Sequence, residues 1–397
     1  MQAYLVSGVR SPIGRFGGAL LPLRGTEFGT TVAQALLERL GVQPGDVRRV
    51  IAGMVLQDMT ESNPARIVAT RIGIPAGVPA FTVNMQCCSS MLALILAAQQ
   101  VALGEVDTVL ALGLESMSNA PHMVSGARWG LRLAHGEFID TLKECTLAGS
   151  RMWGDPWYMV DVAEHHAQVD GYAREEMDAY AVVSHARALE ALDAGRLAGE
   201  TVPIEVPRGR GGSLLFERDE GPRRDVSPAT LAKLQPVKPG GAVTAGNSSS
   251  INDGAAAALI CNEQGLARLG LEPLARIVLP GTAMVGCEPT LMGYSCVEAL
   301  NAALQSAGKR VDDLDLIECN EGFAVQLLAC ERMGKWPRER LNVDGGSVAL
   351  GHPVGMSGLR ISLHLAHALQ QRHLKLGGAT VPAGSGLGTA VLLERVA

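Results

Sequence analysis

Between Met91 and Leu103 the chain reads Met-Leu-Ala-Leu-Ile-Leu-Ala-Ala-Gln-Gln-Val-Ala-Leu, apolar on nearly every face a helix could present. A helix without a polar face is buried on all sides. Its strongly apolar run, Met91 to Ala98, is too short to cross a bilayer. Protein must therefore cover it from more than one direction. The 47 glycines, and a hydrophobic content of 47% with only 4% aromatic residues, suit close packing of helices on sheets. Both features point to an α/β architecture. At 397 residues the chain has room for two or three compact units.

Elements of alternating type surround that helix. Ala3–Gly8 predicts a strand, Phe28–Leu40 a helix stopped by Gly41, Val50–Leu56 and Ala80–Val83 further strands, and Thr108–Leu112 a short strand ending at Gly113. From Pro121 to Gly246 the chain is more polar, richer in Trp and charge, and poorer in strand signals. Its clearest element is a helix over Arg174–Asp193, with Ala173 where an N-cap hydroxyl is favoured. This segment reads as an insertion. Ala255–Cys261 is then expected to form an edge or closing strand of the first unit. A second series follows: strand Ala275–Gly281, helix Val297–Ala307, strand Leu314–Glu318, helix Phe323–Met333, a Gly-rich turn over Gly345–Gly358, helix Leu359–His373, and strands Ala379–Ala383 and Thr389–Leu393. The two series have similar order and size, which implies a duplicated α/β unit with an insertion in its first copy.

A net charge of −6 gives no electrostatic footprint for nucleic acid or an acidic membrane surface. Arg208, Arg210, Arg218, Arg223 and Arg224 are spread through a Gly-rich stretch, which reads either as a solvated loop or as a contact for a phosphate-bearing ligand. Arg10 and Arg15 interrupt any apolar run near the start, so no secretory segment is visible and a cytoplasmic protein is expected. The 8 cysteines form no CxxC pair and no zinc-like array with histidine. Nor do His165 and His166, or His364 and His367, gain further ligands of clear spacing, and no metal site is expected.

The chemistry concentrates at turns. Cys87 follows a β run and precedes the buried helix, so its sulfur is expected near helix N-terminal N–H groups that favour a thiolate and lower its pKa. A thiolate is the nucleophile acyl transfer needs; a small core residue is the competing reading. Cys88 has the same local claim. His352, in Gly351-His-Pro-Val-Gly355, sits on a tight turn, where it is either a general base or merely structural. Asn320 stands at a strand-to-helix junction and either orients a water or carbonyl, or caps the helix. Gly384-Ser-Gly-Leu-Gly388 is not G-x-G-x-x-G and leads into a strand, so a dinucleotide site is not expected; its N–H groups can form an oxyanion hole.

Together these segments resemble the thiolase family over nearly the whole chain. Asn84-Met-Gln-Cys-Cys-Ser-Ser-Met-Leu92 is similar to the family's nucleophile motif, Gly113-Leu-Glu-Ser-Met-Ser-Asn-Ala-Pro121 to the opening of its loop domain, and Thr244–Gly254 to the return from it. Asn320-Glu-Gly-Phe-Ala324 resembles an Asn-Glu-Ala-Phe motif, and Gly351–Gly355 the motif of the catalytic histidine. The resemblance implies two similar βαβαβαββ core domains in a layered αβαβα arrangement, residues 1–120 with 250–270 and residues 271–397, and a loop domain over 121–249. It implies acylation of Cys87 with His352 as its base. One oxyanion hole would come from His352 and an Asn320-held water, the second from the N–H groups of Cys87 and Gly384. Ser249 would meet the pantetheine arm, Arg223 the nucleotide of coenzyme A, and Met159 and Met292 the acyl thioester. Coenzyme A and acyl-CoA enter as substrates with no permanently bound cofactor, and the chain is expected to form a homodimer or homotetramer.

One departure matters. Thiolases use a second cysteine, just before the terminal Gly-rich turn, to shuttle a proton at the substrate α-carbon or departing thiol. Here Ala379-Thr-Val-Pro-Ala-Gly384 puts Pro382 there, with no ionisable group and no N–H. Three readings follow. The chain is an acetyl-CoA acetyltransferase or 3-ketoacyl-CoA thiolase with a substitute proton carrier, for which Cys88, Cys319 or a water are candidates. Alternatively Cys87, His352 and Asn320 alone run a decarboxylating condensation or simple acyl transfer. Or the chain is a non-catalytic acyl-CoA-binding subunit.

Overall fold

The computed structural model describes residues 1–147 and 156–396. Its main sheet contains β1 (Ala3–Arg10), β2 (Arg49–Gly53), β3 (Ala80–Val83), β4 (Thr108–Ser116), β5 (Asn252–Cys261), β6 (Ala275–Gly286), β7 (Leu316–Cys319), β8 (Leu376–Ala383) and β9 (Leu387–Arg395). Their spatial order is β7-β8-β9-β6-β1-β5-β4-β2-β3, with the two-residue strand Gly14–Arg15 beside β5.

That order is symmetric about the β1–β6 pair. Moving outward, β5 and β9 run antiparallel to β1 and β6, β4 and β8 antiparallel to those, and β2 and β7 parallel to β4 and β8. On the first side β3 adds a further parallel strand. On the second its counterpart has shrunk to one bridge, Ile317 to Leu341. The duplicated α/β unit expected from sequence is therefore present, with the outer strand of the second copy almost gone. The expectation for 255–261 was wrong in one respect: β5 is no edge, since it pairs β1 on one side and β4 on the other and is buried throughout. Its alanine run lacks polar alternation because helices cover both faces.

Helix α1 (Gly25–Leu40) packs on the outer face of the first half. Helix α2 (Ser89–Ala102) is the all-apolar helix, and it touches β1 to β5 of its own half together with β6 and β9 of the other. Two further helices, α3 (Met159–Asp170) and α4 (Arg174–Asp193), lie in the inserted segment, and α5 (Ser295–Ser306) covers the outer face of the second half. After α6 (Ala324–Gly334), α7 (Ser357–Gln371) contacts β7, β8 and β9 as well as β1, β4 and β5. So α2 and α7 lie side by side between the two halves of the sheet, which explains why α2 has no polar face. Close approach is needed at Gly53, where a Cβ would fall 2.3 Å from the backbone N of Ser90; only glycine admits the helix start there. Among the described residues no helix is long and apolar enough to cross a membrane.

The inserted segment is tied down by buried charge. Arg10 on β1 is fully buried and pairs with Glu200 at 2.7 Å and with both oxygens of Asp219 at 2.7 and 3.0 Å. Glu200 also meets His364 of α7 at 3.0 Å, and the other ring nitrogen of His364 lies 3.4 Å from Asp344. Burial alone would lower the pKa of His364, but these carboxylates outweigh it and push it up to about 10. Unfolded histidine titrates near 6.5. Below pH 6.5 the full stabilisation is present, and it is lost as pH rises from there through 10. Glu200 and Asp344 are held below the usual carboxylate range, so their share is lost on acidification instead. In urea titrations the protein is expected to be less stable at pH 9.5 than at pH 6.5, by on the order of 3 kcal/mol. His364→Gln should flatten that difference; an equally steep decline in the variant would place its origin elsewhere.

Candidate active site

A cleft of about 800 Å³ opens where the two halves meet the inserted segment. Cys87, Asn320, His352, Gly384, Ser249, Met159 and Met292 all line it, beside apolar walls from Val55, Met117, Phe323 and Val354. Arg223 does not.

Cys87 stands on a sharp elbow between β3 and α2. Gln86 takes φ of +49°, a conformation non-glycine residues seldom adopt. The turn is held by Ser89, whose Oγ accepts from Met85 N at 2.9 Å and donates to Gln86 O at 2.6 Å. Asn84 adds a third tie by accepting from Gln86 N at 3.0 Å. The backbone N–H groups of Gly384 and of Cys87 itself act on the sulfur to favour the thiolate. Even so, the expectation of a lowered pKa fails. Burial dominates, the neighbouring Cys88 adds to it, and the thiol is pushed up to about 12. Two N–H donors do not offset desolvation at this depth, so the resting group is a thiol and needs a base.

His352 can be that base. Gly351, at φ +108°, turns the chain tightly against Asn252, whose Oδ1 accepts from His352 N at 2.9 Å. Ser357 Oγ lies 2.7 Å from His352 Nδ1 and donates to Pro353 O at 2.9 Å. The one hydroxyl proton is thus committed, and the network assigns the ring proton to Nδ1. Nε2 keeps its lone pair. Burial, followed by the charge of Arg360, lowers the pKa to about 3, so the resting ring is neutral.

Asn320 begins the turn after β7. Its Oδ1 accepts from Ser347 Oγ at 2.8 Å, and Ser347 in turn accepts from Arg360 at 3.1 Å. This orients the amide so that Nδ2 faces His352 Nε2 at 3.5 Å. The bland N-cap role does not apply, since Phe323 occupies that position of α6. Next in sequence, Glu321 is fully buried and accepts from Tyr180 (2.5 Å) and Ser184 (2.8 Å) of α4, from Asn342 (2.8 Å) and from Val348 N (3.0 Å). It locks the inserted segment to the turn that carries His352.

Other expectations change. Arg218 and Arg224 pair with Asp193, and Arg223 stands near His185, to which its backbone N–H donates at 3.2 Å. Cys88 is fully buried with its sulfur 3.2 Å from Val381 O, and Cys319 is buried beside Cys296 at 3.4 Å. Neither lines the cleft, which removes both as substitute proton carriers. The fold also gathers Cys296, Cys319 and Cys330 within 4.8 Å of one another, a cluster that their sequence spacing concealed. Pro382 does line the cleft, and so does Cys145, from the end of the short helix Thr141–Cys145. Sequence reading missed Cys145; it lies in no motif, and only the fold brings it to the others.

Residues 3–264 match the family description "Thiolase, N-terminal domain" and residues 271–395 match "Thiolase, C-terminal domain". An acetyl-CoA acetyltransferase of Chromobacterium violaceum is 43% identical over 100% of both chains, and one from Pseudomonas aeruginosa is 42% identical over 98% of each. Human mitochondrial 3-ketoacyl-CoA thiolase in complex with CoA superposes with a TM-score of 0.94 at 38% identity, covering 100% of this chain and 98% of the other. The acetyl-CoA acetyltransferase of Bacillus anthracis gives a TM-score of 0.95 at 38% identity, with 100% and 99% covered. With the paired halves, the cysteine elbow and the histidine turn all in place, this chain belongs to the thiolase family.

Proposed function

We propose that the protein is a thiolase-type acyltransferase that cleaves or forms a 3-ketoacyl-CoA through an acyl thioester on Cys87. The observation that carries this reading is the meeting, in one cleft, of the Cys87 thiol with the His352 imidazole, whose Nδ1 is held by Ser357 and whose Nε2 faces Asn320 Nδ2 at 3.5 Å. As Cys87 Sγ attacks the thioester or ketone carbonyl, its proton passes to His352 Nε2, a general-base step. The N–H groups of Cys87 and Gly384 stabilise the oxygen that gains charge, and Asn320 Nδ2 with His352 serves the second oxygen through a water. Ser249 lies where a pantetheine arm would pass, and Met159 and Met292 wall the acyl group. Coenzyme A and its thioesters are the substrates. Arg223 is assigned to the nucleotide end, outside the cleft.

The test is intact-protein mass after mixing with acetyl-CoA and, separately, acetoacetyl-CoA. An adduct that maps to Cys87, with CoA-dependent cleavage of acetoacetyl-CoA, is expected. No adduct from either thioester would overturn the reading. A second reading is favoured by Pro382 in the cleft wall: Cys87, His352 and Asn320 would transfer acyl groups without touching the α-carbon. It predicts the adduct but no acetoacetyl-CoA cleavage.

Met123, Trp129, Leu131, Leu133 and Phe138 are exposed together on and around the hairpin of His122–Val124 and Phe138–Asp140. Such a patch marks an association surface, and it supports a homo-oligomer with this hairpin at a contact between copies. Light scattering should give a mass above the monomer, lowered by Trp129→Glu with Phe138→Glu; an unchanged assembly would remove the hairpin from the contact.

A further inference from the structure

If the protein cleaves 3-ketoacyl-CoA, some group must protonate the α-carbon of the departing acetyl-CoA and later take the proton of the incoming coenzyme A thiol. The titratable side chains among the described residues lining the cleft are Cys87, Cys145 and His352. Cys87 carries the acyl group, and His352 holds the proton of Cys87. Pro382 has nothing to give. Cys145 remains.

Its placement is fixed rather than incidental. Cys145 packs with Cys87 and Val55 against the same buried cluster of Leu56, Met117, Leu142 and Val354. Thr146 O accepts from Met159 N at 2.8 Å, which ties the end of the Cys145 helix to the start of α3 in the cleft wall. The two sulfurs also sense each other: after burial, the charge of Cys87 is the largest influence raising the pKa of Cys145. It therefore rests as a thiol, the form that can donate.

We propose that Cys145 is a catalytic residue whose thiol supplies the proton to the α-carbon, in place of the second cysteine that Pro382 has displaced. In cleavage, Cys87 gives its proton to His352, its sulfur bonds the 3-keto carbon, the bond from that carbon to the α-carbon breaks, and the enolate takes the proton of Cys145. In the second half, coenzyme A gives its thiol proton to the Cys145 thiolate and attacks the acyl carbon. The bond to Cys87 breaks, and His352 returns the first proton. Every proton and electron pair is accounted for without a further reactant. This rests on the thiolysis reading above.

The experiment compares the wild type with Cys145→Ala and Cys145→Ser in three measurements: acylation of Cys87 by p-nitrophenyl acetate, whose leaving group departs without a proton from Cys145, cleavage of acetoacetyl-CoA by CoA, and exchange of the acetyl-CoA methyl hydrogens with deuterated solvent. Both variants are expected to acylate Cys87 within about 3-fold of wild type. Both should lose cleavage and exchange by about 10²- to 10⁴-fold. Retention of cleavage and exchange by either variant would overturn the proposal while leaving the acyltransferase reading intact. So would a Cys145→Ser variant that loses acylation as much as cleavage, since a near-isosteric change would then be acting through the scaffold. Failure of the wild type to acylate or cleave removes the functional reading itself, before any variant is made.

Discussion

Cys87→Ala is expected to give no covalent adduct with any acyl-CoA and to lower thiolysis by on the order of 10⁴-fold or more. The size follows from the state of the thiol. At a pKa of about 12 there is essentially no free thiolate at neutral pH, so the nucleophile is made only as its proton moves to His352. Alanine removes both the attacking atom and the proton that His352 later returns. His352→Ala should approach the same loss, and the double variant should be little worse than either single one, because the two groups act as one unit. Near-wild-type turnover in Cys87→Ala, measured with acetoacetyl-CoA and CoA, would mean the acyl group is carried elsewhere.

Arg10→Met is expected to destabilise the fold by about 3–5 kcal/mol, the usual cost of stripping one partner from a buried ion pair. Two carboxylates, Glu200 and Asp219, would be left buried, and Glu200 would keep only His364. The ring of charges joins β1, the inserted segment and α7, so the loss should be felt in all three. Urea unfolding of the variant at pH 7 measures it. A change below about 1 kcal/mol would show that water reaches the orphaned carboxylates and relieves them.

Most of the fold was legible because its elements are strongly patterned. The all-apolar run at Met91 could only be a central helix, and Gly41 closed α1 where the sequence indicated. The misplacement of β5 has the same origin as its stability. A strand covered by helices on both faces has no alternation, and nothing local tells an interior strand from a closing one. At the site, Cys87, Asn320, His352 and Gly384 could be found because each sits on a turn punctuated by Gly, Pro or Asn. The ionisation of Cys87 could not be found, since it is decided by depth and not by the two N–H groups that the local sequence supplies. Cys145 and the Arg218–Asp193–Arg224 cluster were equally hidden. Their meaning lies in neighbours far along the chain, and no spacing rule reaches that distance.

The twofold arrangement of α2 and α7 has a consequence for how the enzyme is made. Nucleophile and base stand before corresponding helices of the two copies, so neither copy owns a working site. Roughly 265 positions separate Cys87 from His352. At about 5–20 residues per second, a ribosome needs tens of seconds to pass from one to the other. During that interval the nascent chain carries its cysteine without its histidine, and without β8, whose end delivers Gly384. A prematurely terminated product can bury no working half-site, and acyl transfer becomes a property that only finished chains possess.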